Sequence, residues 1–99
     1  MAELPSYTVG RPADWSLIPP HMIGGLRRYI EDGIPPGSFL TAVLSNDLRG
    51  ACERADDENR HCLFDYVSFL YNHAPTGSWG SKENFGAWCD LGGLNRRAA

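Results

Sequence analysis

The sequence predicts an all-α fold: a small orthogonal bundle of four to five helices behind an extended N-terminal arm. Three observations predict it. Apolar residues recur at helical spacing in three long segments, residues 22–30, 40–55 and 63–71. Gly, Pro and Ser gather between those segments, where chains turn. No run alternates with period two for long enough to build a sheet. A chain of 99 residues has room for one domain. It divides into an arm over 1–19, a helical domain over 20–94 and a frayed tail over 95–99.

The arm carries Pro5, Pro12 and Pro19, with Gly10 between them, and its apolar residues show no helical period. A short strand is expected near residues 7–9, with Trp15 and Leu17 tacking the arm to the body. Such an arm is also able to exchange between subunits. The first helix begins at Pro19-Pro20, where proline suits the first turn. Met22, Ile23, Leu26, Tyr29 and Ile30 form its stripe, and Gly33 supplies a left-handed stop. Gly24-Gly25 inside it costs about 2 kcal/mol relative to Ala. Close approach of another backbone or a ligand is the expected compensation.

Ile34-Pro35-Pro36-Gly37 makes a rigid turn, and Ser38 is the expected N-cap of the second helix. Leu40, Val43, Leu44, Leu48, Ala51 and Ala55 form its buried stripe. Asn46-Asp47 and Gly50 interrupt it. They mark either a kink or a break near Asn46, followed by a short helix capped by that Asn. Asp56, Asp57 and Glu58 suit the start of a third helix, because acids complement its dipole. Leu63, Tyr66, Val67, Leu70 and Tyr71 follow at helical spacing. Phe64 and Phe69 widen the stripe, so this helix is expected to be central and packed on more than one side. A turn over 74–80 holds Trp79. Ser81 caps a fourth helix with Phe85, Trp88 and Cys89 inward, and Gly92-Gly93 ends it.

Composition narrows the function classes. Nine basic residues against twelve acidic give a net charge of −3, which argues against gripping duplex nucleic acid through many phosphates. The basic set is eight Arg and one Lys, Lys82. Arg's planar fork suits phosphate, carboxylate and base edges, although a GC-rich genome accounts for the same bias. Cys52, Cys62 and Cys89 show no C-x-x-C spacing, so reduced thiols in a cytoplasmic protein are expected. Neither a signal peptide nor a membrane span is evident. Leu, Ile, Val and Phe number only 21. The core is therefore small, and a homo-oligomer would help to stabilise it.

The strongest candidate site is the turn Thr76-Gly77-Ser78-Trp79-Gly80-Ser81. A Gly/Ser turn at a helix start offers free N–H groups to an anion, and Trp79 offers a face to a base. Lys82 stands beside it. A tight turn with Trp79 plugging the core explains the same residues. The spacing matches neither a Walker loop nor a dinucleotide fingerprint. Ser38 sits at a second helix entry. Arg27, Arg28, Arg54 and Arg60 would complete one polar cleft if they converge on it. Asn46 and Asp47 either read a base edge or hold the local fold. No metal spacing and no nucleophile elbow is present, so neither cofactor nor catalysis is expected.

Three motifs also carry a resemblance. I-P-P-G-S-F-L-T-A-V-L-S-N-D-L (34–48), R-A-D-D-E-N-R (54–60) and Y-N-H-A-P-T-G-S-W-G-S (71–81) together resemble a family of small proteins encoded by tailed phages and prophages. The resemblance covers about residues 20–91 and leaves the arm outside. It implies a small accessory protein made inside a bacterial cell. Phage proteins of this size often bind and block a host molecule, and some sequester nucleotide immune signals. The expected function is therefore non-catalytic binding of a small nucleotide signal to counter host defence. The alternatives are an adaptor or inhibitor of a host protein and, less in keeping with the charge, a small DNA-binding regulator.

Overall fold

Proline and glycine set both ends of the first helix, α1 (Pro20–Asp32), in a computed structural model that describes residues 4–7 and 13–97. Pro20 begins the helix, and Gly33 ends it at φ 69°, its N–H donating to the carbonyls of Arg28 and Tyr29. Leu26, Tyr29 and Ile30 turn inward and are fully buried. Among the described residues no foreign backbone comes within 4 Å of where a Cβ would stand on Gly24 or Gly25. Instead the Arg28 side chain folds back over them, its Nη1 3.2 Å from where a Gly24 Cβ would stand. Leu40 meets Gly25 at an ordinary contact distance.

The second segment breaks into α2 (Ser38–Leu44) and α3 (Leu48–Arg54), which pack on each other. Gly37, not Ser38, is the N-cap of α2, and no side chain caps it. Ser38 is instead the first helical residue. The break comes where expected, with its roles shifted by one residue. Asn46 takes the left-handed conformation at φ 61°, which Asn tolerates better than most residues. Asp47 then caps α3, its Oδ1 accepting from the Gly50 N–H at 3.0 Å. Gly50 has its own reason. A Cβ there would overlap Asp47 Oδ2 and stand 2.7 Å from Arg54 Nη1. Leu48 lies outside the buried stripe and is exposed.

The third segment also divides, at Cys62, into α4 (Asp57–His61) and α5 (Leu63–His73). Asp56 caps α4 by accepting from the Asn59 N–H at 2.7 Å. Asn59 is buried, and its Oδ1 accepts from the Tyr66 hydroxyl at 2.7 Å. The expectation of a central helix covered on several sides is not met. Tyr66, Phe69, Leu70 and His73 are buried, while Phe64, Val67 and Tyr71 face out. Apolar residues all around a helix do not say which side the body covers.

α6 (Lys82–Leu91) begins at Ser81, whose hydroxyl accepts from the Asn84 N–H at 3.0 Å. Its buried Trp88 donates from Nε1 to the carbonyls of Tyr29 and Ile30 at 3.0 and 3.2 Å. The indole thereby shares the Tyr29 carbonyl with the Gly33 N–H and serves the Ile30 carbonyl at the end of α1. Gly92 and Gly93 have φ 85° and 74°. They end α6 but not the fold, because α7 (Gly93–Arg97) follows. So residues 95–97 are helical and not a frayed tail, and residues 98–99 lie outside the described ones. Leu94 packs on the core. The Asn95 side chain donates to Asp32 at 2.8 Å. A Cβ on Gly93 would stand 2.5 Å from the Gly33 nitrogen, so glycine is what lets α1 and α7 touch.

The described part of the arm lies on its own body. Trp15, in a short 3-10 turn (Trp15–Leu17), is buried with its ring 4.6 Å from Phe69. Its Nε1 donates to the Pro5 carbonyl at 2.8 Å. The Tyr7 hydroxyl donates to Glu31 at 2.7 Å. Tyr7 is not in a strand, and the rest of the strand expected over 7–9 lies outside the described residues. Among the described residues the structure is all-α, without strands. No described helix is long and apolar enough to cross a membrane.

Candidate functional site

α2 is apolar on one side and small and hydroxylic on the other. Phe39, Leu40, Val43 and Leu44 enter the core. Ser38, Thr41, Ala42 and Ser45 recur at i, i+3, i+4 and i+7, one helix face. That face is one wall of a cleft of about 620 Å³, closed by Asp47 and Arg54 of the α3 segment and by Lys82 and Phe85 of α6. The volume lies within the range of small-molecule sites.

The polar groups of this cleft are only partly used. Thr41 donates to the Pro36 carbonyl at 3.2 Å. Arg54 donates one N–H, from Nη1, to the Gly50 carbonyl at 3.2 Å, which leaves most of its fork open. The Lys82 side chain makes no hydrogen bond or ion pair among the described residues. Asp47 is the one acid among the described residues of the lining, and its Oδ1 is held by the Gly50 N–H. Phe85 is backed by Tyr29, the two rings stacked at 5.2 Å and 7°. Burial raises the Tyr29 phenol well above its ordinary range, with Cys89 adding to the shift. It therefore stays neutral behind the cleft. Burial, with Asp90 nearby, also raises the Cys89 thiol, which opposes its use as a thiolate.

No family model matches the chain, and neither a curated protein nor a solved structure matches it. Function is therefore read from the cleft itself.

Of the residues singled out in the sequence, Ser38 and Asp47 line this cleft together with Arg54 and Lys82. The others lie elsewhere. Arg28 lines a second groove of about 320 Å³ with His21 and Ile34, on the far side of Pro36, which both share. Arg27 pairs with Glu31 at 3.1 Å, and Arg60 pairs with Asp57 at 3.4 Å. Asn46 borders a small hollow beside Leu48 and Val67.

The turn at 77–81 is built for the fold. Ser78 is fully buried, its hydroxyl donating to the Pro75 carbonyl at 2.7 Å. The Ser78 carbonyl accepts from the Tyr29 hydroxyl at 2.6 Å. The Gly80 N–H donates to the Leu44 carbonyl at 2.9 Å. Trp79 packs against the core, and its carbonyl accepts from Asn84 at 3.0 Å. These internal duties occupy the Ser78 hydroxyl and the Gly80 N–H, two of the donors that the composition of the turn offers to an anion. Thr41 and Ser45 were not singled out by type. Their signal is the hydroxylic i, i+3, i+7 spacing with Ser38. Among the described residues no group of three or more His, Cys, Asp or Glu is arranged to hold a metal ion.

Proposed function

We propose that this protein binds a small phosphate-bearing nucleotide in the cleft between α2, α3 and α6, and performs no chemistry on it. One observation carries the reading: Lys82, unpaired among the described residues, and a largely open Arg54 fork line the same cleft as three hydroxyl groups. A guanidinium and an ammonium suit phosphate by different means, a directional fork and a compact charge. The hydroxyls of Ser38, Thr41 and Ser45 supply further donors and acceptors. Phe85, braced by Tyr29, suits the face of a base. Asp47 suits a ribose hydroxyl or a base amine as acceptor, and its charge disfavours a long polyanion. The net charge of −3 disfavours duplex nucleic acid in the same way. No His lines the cleft, so a Ser–His arrangement for nucleophilic chemistry has no support there.

Together with the resemblance to phage accessory proteins, this supports a role inside a bacterial cell, holding a nucleotide signal away from its receptor. The test is calorimetric titration with cyclic and linear nucleotides, with inorganic phosphate as a separate arm. Lys82→Ala and Arg54→Ala should each weaken a bound nucleotide by roughly 10- to 150-fold, the loss of one charge-assisted contact. Arg27→Ala and Arg60→Ala should leave affinity unchanged. Binding of no nucleotide in the panel, or equal affinity in all four variants, overturns the proposal and favours an adaptor that binds a host protein.

A further inference from the structure

The outward side of α5 has a composition unlike a solvated helix face. Phe64 and Tyr71 are seven residues apart, so they project in nearly one direction about 10 Å apart along the axis. They are 82% and 80% exposed. Val67 and Ser68 lie between them and form a lower floor. Next to this ridge, Leu48 is 69% exposed and Val67 45%. None of these ridge and floor side chains is charged. Leu48, Ala51, Leu63 and Val67 line a shallow hollow on the same side, with Asn46 and Asp47 as its polar members. Elsewhere the exposed faces of α3 and α4 carry ion pairs, Arg49 with Glu53 and Arg60 with Asp57.

We infer that this face is where two copies of the chain meet, with their α5 helices antiparallel about a twofold axis through the Val67–Ser68 step. The pattern is symmetric about that step. Phe64 lies three and a half residues before it and Tyr71 three and a half after. A twofold there sets Phe64 of one copy beside Tyr71 of the other, and lays the low Val67–Ser68 floors against each other. An isologous pairing of this kind needs one patch that complements itself, and a ridge with a hollow beside it does so. The area agrees. With 150–250 Å² for a whole aromatic side chain, Phe64, Tyr71, Leu48 and Val67 expose on the order of 500 Å² per copy. Two copies then bury about 1,000 Å², the lower bound for a specific association. The dimer is accordingly a weak one, in the micromolar range. The arm and Gly24-Gly25 are not needed for it, since the arm's described part folds on its own body.

Sedimentation over about 1–200 µM tests the inference, because mass action makes assembly depend on concentration. The wild type should move from 10.9 kDa toward twice that mass. The double variant Phe64→Ser, Tyr71→Ser should stay at the monomer mass and keep its melting temperature when diluted. In a Cys52→Ser background, Ser68→Cys should form a disulfide between copies, because residues beside a twofold axis face their own counterparts. A wild type that remains monomeric across the range overturns the inference. So does a double variant that assembles as the wild type does, or a Ser68→Cys chain that does not cross-link.

Discussion

Tyr29→Phe isolates one buried hydrogen bond and asks whether the turn at Ser78 is held from below. The ring is fully buried and stacked on Phe85, and the substitution leaves that stacking in place. What goes is the hydroxyl, 2.6 Å from the Ser78 carbonyl. Its loss leaves a buried acceptor without its donor, which costs about 1–3 kcal/mol. For a domain of this size, a loss near 2 kcal/mol lowers the melting temperature by roughly 8–16 °C. Proton linkage adds a second signature. The unfolded phenol titrates near 10.0, and burial raises it in the folded chain. Above pH 10 the folded state therefore binds more protons than the unfolded state. The stability is complete below that pH and falls as pH rises, by about 1.4 kcal/mol per pH unit for one tyrosine. The variant has no phenol at this position and so lacks that slope, and the gap between wild type and variant should narrow above pH 10. Urea denaturation near pH 7 and near pH 11 measures both effects, with exposed Tyr71→Phe as a control that should shift stability by less than about 0.5 kcal/mol. A Tyr29→Phe chain as stable as the wild type near pH 7, or a gap that stays constant into alkali, would refute the assignment of this bond.

The other predictions concern backbone and caps. Gly93→Ala places a Cβ within 2.5–2.7 Å of the α1 backbone at positive φ. It should destabilise by more than the ~1–3 kcal/mol of a strained φ alone, read as a loss of melting temperature or of folded yield. Gly86 lies inside α6, and a Cβ added there would meet nothing within 4 Å among the described residues. Gly86→Ala should therefore stabilise by about 0.5–1 kcal/mol in the same denaturation assay. Asp56→Ala removes the cap of α4 and should cost about 1 kcal/mol.

Much of the helix punctuation is legible because it rests on local chemistry. Pro20 and Gly33 bound α1, and Ser81 and Gly92 bound α6, through backbone preferences that need no knowledge of the rest of the chain. The same locality explains the one-residue shift at Asn46 and Asp47. Both residue types cap helices, and only the positive φ at Asn46 decides between them. Three features were hidden because they depend on partners distant in sequence. The turn at Ser78 looks self-contained, yet its carbonyl is held by the hydroxyl of Tyr29, 49 residues earlier. Gly92-Gly93 looks like a plain stop, yet Gly93 is there for contact with Gly33. Arg54 and Lys82 reach one cleft from separate helices, and nothing in either neighbourhood announces it. The faces of α5 were hidden for another reason. Periodicity finds apolar positions, and only packing shows that Tyr66 and Phe69 are covered while Phe64 and Tyr71 are not.

The indole of Trp88 reaches back to Ile30 across 58 residues, and this orders events during synthesis. At about 5–20 residues per second, the ribosome makes Trp88 some 3–12 s after Ile30. For that interval the residues of α1 have neither the Trp88 indole nor the Gly93 backbone to pack against. Neither Trp88 nor Asn95 is available to hold it until residues 88–95 have left the exit tunnel. The nascent protein is thus committed to a later closure, in which α6 and α7 lock α1. A protease acting on a chain that stops short of Trp88 should find α1 open, and the arrival of α6 and α7 is the event that protects it.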